Sequence, residues 1–190
     1  MSTEVLNGHK AGKKVDQKSV VITRPNFGYA RFHIVGTSPL VQLKFSKKAE
    51  EQIKAKQEAG GRAASKKTRE ARDFEADYRG AFHVSSDGWY GHPAAAFRNA
   101  MIDACRIVGF VMTRGKLAVF VEADGYEADS GTPLVRVNGV PRMTVMPVRN
   151  ETGVIDLRAR PMFDEWDMDI TVKYDADMFG LEDVTNLLWR

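Results

Sequence analysis

The stretch DEWDMDITVKYD (164–175) places Trp166, Met168, Ile170, Val172 and Tyr174 at every second position, with Asp167, Asp169, Thr171 and Lys173 between them. Successive side chains of a strand point to opposite faces, so this alternation predicts a strand with one buried and one solvated face. Downstream, Leu181, Val184, Leu187 and Leu188 recur at helical spacing and predict a short closing helix over residues 181–189. Upstream, VIDLRARP (154–161) alternates as another strand. PLVRVNGVPRMTVMPV (133–148) reads as a hairpin turning at Asn138-Gly139, a dipeptide that accepts the positive φ angles of a tight turn. KLAVFVEA (116–123) is a β-branched and aromatic run.

Further upstream, AAAFRNAMIDACRIV (94–108) carries Phe97, Ala100, Met101, Ala104, Ile107 and Val108 on one helical face. Pro93 suits the first helical position, where its missing N–H costs nothing, and Gly109 is a natural terminator. YARFHIV (29–35) predicts a first strand with Tyr29, Arg31, His33 and Val35 on one face, and LVQLKF (40–45) a short second one. The resulting order of strand, long helix, strands, strand and helix predicts an α/β (α+β) fold: a ferredoxin-like, RRM-like antiparallel sheet with two helices and a basic insertion, lacking the last strand of that pattern.

With 190 residues, 43% hydrophobic and 28% charged, the chain is long enough for one globular domain with appendages. No apolar run has the ~20 residues of a membrane span, so no membrane partner is expected. The N-terminus lacks the apolar core of a secretory signal, and the lone Cys105 fits a reducing cytoplasm. Charge is unevenly spread within the net +3. Residues 1–24 balance at +3 and residues 44–72 at +6, leaving the remainder at −6. This predicts a basic disordered arm over 1–24 and a single α+β domain over 25–190, with a basic helical or mobile insertion at 44–79. Within that insertion SKKAEEQIKAKQEA (46–59) reads as an exposed helix, and the stretch from Gly60 through Arg72 as a mobile loop. Cationic arms on an acidic body suit a polyanion partner, although a solvated loop has the same composition.

Catalytic and metal motifs fail on spacing. The histidines His9, His33, His83 and His92 show no helical pairing, GHKAGKK (8–14) lacks the spacing and the Ser or Thr of a phosphate loop, and DGYEADSG (124–131) lacks calcium-loop alternation. Cys105, on the apolar edge of a helix, reads as an inert thiol. No catalytic residue, metal or cofactor is assigned. The carboxylates Asp164, Glu165, Asp167 and Asp169 keep a metal-dependent nuclease as a third reading, against the simpler one of a solvated sheet face.

The most suggestive segment is GWYGHPAAAFR (88–98). Trp89 and Tyr90 beside glycines offer rings for stacking on unpaired bases, while His92, the helix start and Arg98 offer contacts to phosphate. The competing reading packs both rings onto the core and gives His92 a helix-entry role. The basic candidates are Lys44, Lys47, Lys48, Lys54, Lys56, Arg62, Lys66, Lys67, Arg69 and Arg72.

GWYGHPAAAFRNAMIDACRIVG (88–109) resembles a segment of the RAMP superfamily, the RRM-like backbone proteins of CRISPR effector complexes. The stretch from Phe32 to Arg190, including DLRARPMFDEWDMDITVKYD (156–175), is similar to a family of uncharacterised tailed-phage and prophage proteins. The first resemblance implies binding of single-stranded guide RNA along a filament of like subunits, with the 44–79 segment as the gripping insertion and Arg98 near the nucleic acid. Both families place a glycine-rich loop and a final strand after the last helix. Together these readings predict a non-enzymatic, phage-type binder of single-stranded DNA or RNA that forms a homo-oligomer. The alternative is a protein-interaction module, such as a virion component or an inhibitor of a host defence complex.

Overall fold

The computed structural model describes residues 24–45, 47–58, 60, 71–150 and 152–190. Their elements run β1 (Phe27–Val35), β2 (Leu40–Val41), α1 (Lys47–Glu58), α2 (Phe74–Gly80), β3 (Gly91–Pro93), α3 (Ala94–Ile107), α4 (Met112–Ala118), β4 (Val119–Val121), β5 (Gly125–Tyr126), β6 (Pro133–Arg136), β7 (Pro141–Arg149), β8 (Ile155–Phe163), β9 (Asp167–Asp175) and α5 (Leu181–Trp189). The mixed α+β class expected from the sequence is present, with every strand pairing antiparallel.

The alternating stretch at 167–175 becomes β9, the middle strand of the sheet β1-β9-β4. Because β9 is antiparallel to both neighbours, β1 and β4 run parallel to each other, and the chain between them includes α3. Met168, Ile170 and Val172 of β9 are buried with Val119 of β4, and Phe32 and Ile34 of β1 pack on the same side. Met101, Ala104 and Cys105 of α3 and Val184 and Leu187 of α5 complete that core. Helices on one side of an antiparallel sheet leave its other side to solvent.

Two more sheets, β2-β8-β7 and β3-β6-β5, complete the fold. The first continues from β1-β9 across a bend at residues 36–39 and 164–166. There the Trp166 indole lies on Gly36, where a Cβ would come within 2.3 Å of the ring, and donates from Nε1 to Ser38 O at 2.9 Å. Glycine is required for that approach.

The expected hairpin at Asn138-Gly139 is corrected. β6 is the middle strand between β3 and β5, so both of its edges are taken and β7 pairs with β8 instead. Gly139 keeps a positive φ of 142°, but the segment crosses between sheets, with Asn138 bridged to Asp167. The true hairpin turn follows β7, where Asn150 N–H donates to Val154 O and Gly153 adopts φ 80°. Pro93 ends β3 and precedes α3 instead of occupying its first turn.

The expected exposed helix appears as α1, while residues 61–70 of the proposed loop lie outside the described residues, as do residues 1–23 of the arm predicted over 1–24. The far end of the insertion is folded against the body. Asp73 caps α2 by accepting from Glu75 and Ala76 N–H, and Arg72 is pinned by Asp77 at 2.8 Å and by Asp156 and Leu157 O. Of the β-branched and aromatic run 116–123, Val119–Val121 form β4, while residues 116–118 end α4. No helix among the described residues is long and apolar enough to cross a membrane.

Candidate nucleic-acid interface

The solvent-facing side of β1-β9-β4 gathers aromatic and cationic side chains that the linear sequence holds far apart. Tyr29 of β1 and Phe120 of β4 both pair with Lys173 of β9, so the three form one row across the sheet. Phe27 stands one pleat along, 38% exposed, and Tyr29 is 58% exposed. Lys173 Nζ lies 4.4 Å from the centre of the Phe27 ring and 5.8 Å from that of Tyr29. The Phe27 and Phe120 rings meet edge to face at 6.2 Å. Large exposed rings beside an ammonium provide faces for bases and charge for phosphate.

Arg98 borders this patch. Its guanidinium lies 5.4 Å from the centre of the Phe120 ring, while Nε donates to Val119 O at 2.9 Å and Nη2 to Lys116 O. Those bonds tie α3 to the start of β4 and hold Phe120 in place. The predicted candidate is thus brought to the aromatic surface, anchored by backbone carbonyls.

Further along the same face, Arg31 Nη2 donates to Asp169 Oδ2 at 3.1 Å and His33 Nδ1 lies 3.2 Å from Asp169 Oδ1. These contacts, Arg31 first, hold the Asp169 carboxyl below its ordinary range. Asp175, at the aromatic end, accepts from Asp177 N–H at 3.0 Å.

The other predicted residues are placed elsewhere. Tyr90 is stacked on Phe82 at 4.7 Å and meets Phe163 edge-on, so its ring belongs to the core packing. Trp89 lies over Gly91 and Gly125, whose missing side chains make room for it. The packed reading of that pair therefore describes their setting. His92 is half-buried against Phe97, and burial, then His83, pushes its pKa down. Lys44 Nζ sits 2.9 Å from Glu127 Oε1, and Lys47 Nζ 3.0 Å from Asp129 Oδ1. Their charges are largely matched by this acidic pair. Lys54 and Lys56 are exposed on α1. Arg62, Lys66, Lys67, Arg69 and the Lys48 side chain lie outside the described residues.

Compared with protein-family models, curated proteins and solved structures, the chain matches none.

The carboxylates weighed for metal binding are dispersed: Asp164 pairs with Arg142, Asp167 accepts from Asn138, and Asp169 holds Arg31 and His33. No group of three metal-ligating side chains occurs among the described residues. Sequence reasoning missed Phe27, Tyr29, Phe120 and Lys173. The alternation of 29–35 and 167–175 marked Tyr29 and Lys173 as outward-facing, but nothing local signals that they share a row with Phe120.

Proposed function

We propose that this protein binds single-stranded nucleic acid without catalysis, on the open face of a ferredoxin-like, RRM-like sheet. One observation carries the reading: Phe27, Tyr29 and Phe120 surround Lys173 on a solvent-facing sheet whose opposite side is covered by helices. The strand arrangement supports the fold assignment, since β9 lies between parallel β1 and β4 as the third strand lies between the first two in a split βαβ unit. Bases stack on Tyr29 and Phe27, Lys173 meets the phosphate between them, and the exposed Lys54 and Lys56 of α1 add attraction at longer range. Stacking is tolerant of sequence because every base has a π-face.

Fluorescence anisotropy with labelled single-stranded DNA and RNA tests this directly. Binding should weaken steeply as salt rises, and Tyr29→Ala or Phe27→Ala should each lower affinity about tenfold, within the range of base–aromatic stacking. No binding at low salt, or full affinity in a normally melting double variant, refutes the proposal.

A second reading, contact with a protein partner, is favoured by the hairpin β7–β8. Met143, Val145, Ile155 and Leu157 share one face of this hairpin and are 43–63% exposed. A protein captured from host cells that Val145→Lys releases and nuclease leaves bound would support it.

A further inference from the structure

We infer that the open face prefers guanine at one position, read by Asp169 and Arg31; the inference rests on the nucleic-acid reading of that face. Tyr29 and Arg31 are two residues apart on β1, roughly 6.8 Å along the strand, and point to the same side. A base lying flat on Tyr29 therefore directs one edge toward the Arg31–Asp169 pair.

That pair is poorly explained by stability. The Arg31 and Asp169 side chains are 71% and 40% exposed, and ion pairs so open to water contribute little to folding. Its geometry is nevertheless defined, because Asp169 accepts from Arg31 on one oxygen and lies beside His33 on the other. Each carboxylate oxygen has a second lone pair, and the guanidinium has further N–H groups. The face thus presents two adjacent acceptors beside a donor.

Guanine supplies the matching edge. Its N1–H and N2–H lie side by side and meet the two carboxylate oxygens, while O6 next to them accepts from Arg31. Adenine and cytosine each offer a single exocyclic amine in place of the two neighbouring donors, and uracil or thymine offers one ring N–H between two carbonyls. Only guanine satisfies both oxygens and the arginine together.

The test uses the full chain and labelled ~12-nucleotide strands of alternating uracil with guanine, adenine, cytosine or hypoxanthine, as RNA, with thymine versions as DNA. The guanine strand should bind about tenfold tighter than the adenine and cytosine strands. Hypoxanthine, which lacks N2, should lose most of that advantage without any change to the protein. Asp169→Asn should level the guanine and adenine strands while melting as the unaltered protein does. Affinities within about twofold across all bases, or a guanine advantage that survives both changes, overturn the preference and leave general binding standing. Absence of binding to every strand removes the preference and the nucleic-acid reading together.

Discussion

Lys44→Met removes the ammonium 2.9 Å from Glu127 Oε1 while retaining an unbranched stem of similar shape. The Glu127 side chain is only 3% exposed, so water cannot replace the lost cation. Removing one member of a buried pair costs about 3–5 kcal/mol. Two features place this site at the low end. Lys44 is itself 17% exposed, and Glu127 keeps the Ser130 hydroxyl and the His83 ring at 3.1 Å. A loss of about 3 kcal/mol follows, which for a chain of this length lowers Tm by roughly 6–12 °C. Urea unfolding at neutral pH, followed by circular dichroism, should be run on Lys44→Met, Glu127→Gln and the double variant. The double variant should lose at least about 1 kcal/mol less than the sum of the single losses, because each single change strands the other partner. A Lys44→Met protein within about 0.5 kcal/mol of the original, or strict additivity, refutes the buried-pair argument. The same variant examines Lys44 as a phosphate contact: a residue committed to Glu127 leaves the salt dependence of binding unchanged, whereas loss of a phosphate contact lowers its slope by about one.

Three further outcomes follow from the packing. Gly36→Ala should destabilise by about 1–3 kcal/mol in a urea titration, because its methyl group would lie within 2.3 Å of the Trp166 ring; a neutral result would mean the indole can move aside. Burial pushes the Glu127 carboxyl up, but hydrogen bonds from Ser130 and Lys44 outweigh it, so the folded pKa is lowered. Its stabilising contribution is complete above the ordinary carboxylate pKa and is lost as pH falls through the folded value, so acid titration of Glu127→Gln should show a shallower loss of stability there. Cys105 is fully buried, with burial raising its thiol pKa, so a thiol reagent should react with it only as fast as the native protein unfolds; immediate reaction would contradict its place on α3, packed against Gly115 of α4.

Periodicity carried the local reading wherever one face of an element is buried. The alternation of 167–175 and the 3.6-residue spacing of 94–107 correspond to β9 and α3, because the core imposes that spacing on the chain. Short elements without such a stripe were harder to read. α2 and α4 are seven residues each, stabilised respectively by the Asp73 cap and by packing of Gly115 and Ala118 into the core, neither of which produces a periodic signal.

By itself the sequence determined the mixed class, the main strand and two main helices, the outward side of β1 and β9, and the uneven charge. Strand partnership was decided by tertiary structure alone. Hydrogen-bonding groups along a strand edge are alike, so Asn138-Gly139 favoured a turn locally, yet β6 had no edge left for β7. The same choice of partners joined Phe27 and Tyr29 to Phe120, about ninety positions away, around Lys173. It also committed Lys44 to Glu127 and Tyr90 to Phe82, since burial favours pairing a charge or covering a ring over leaving either free.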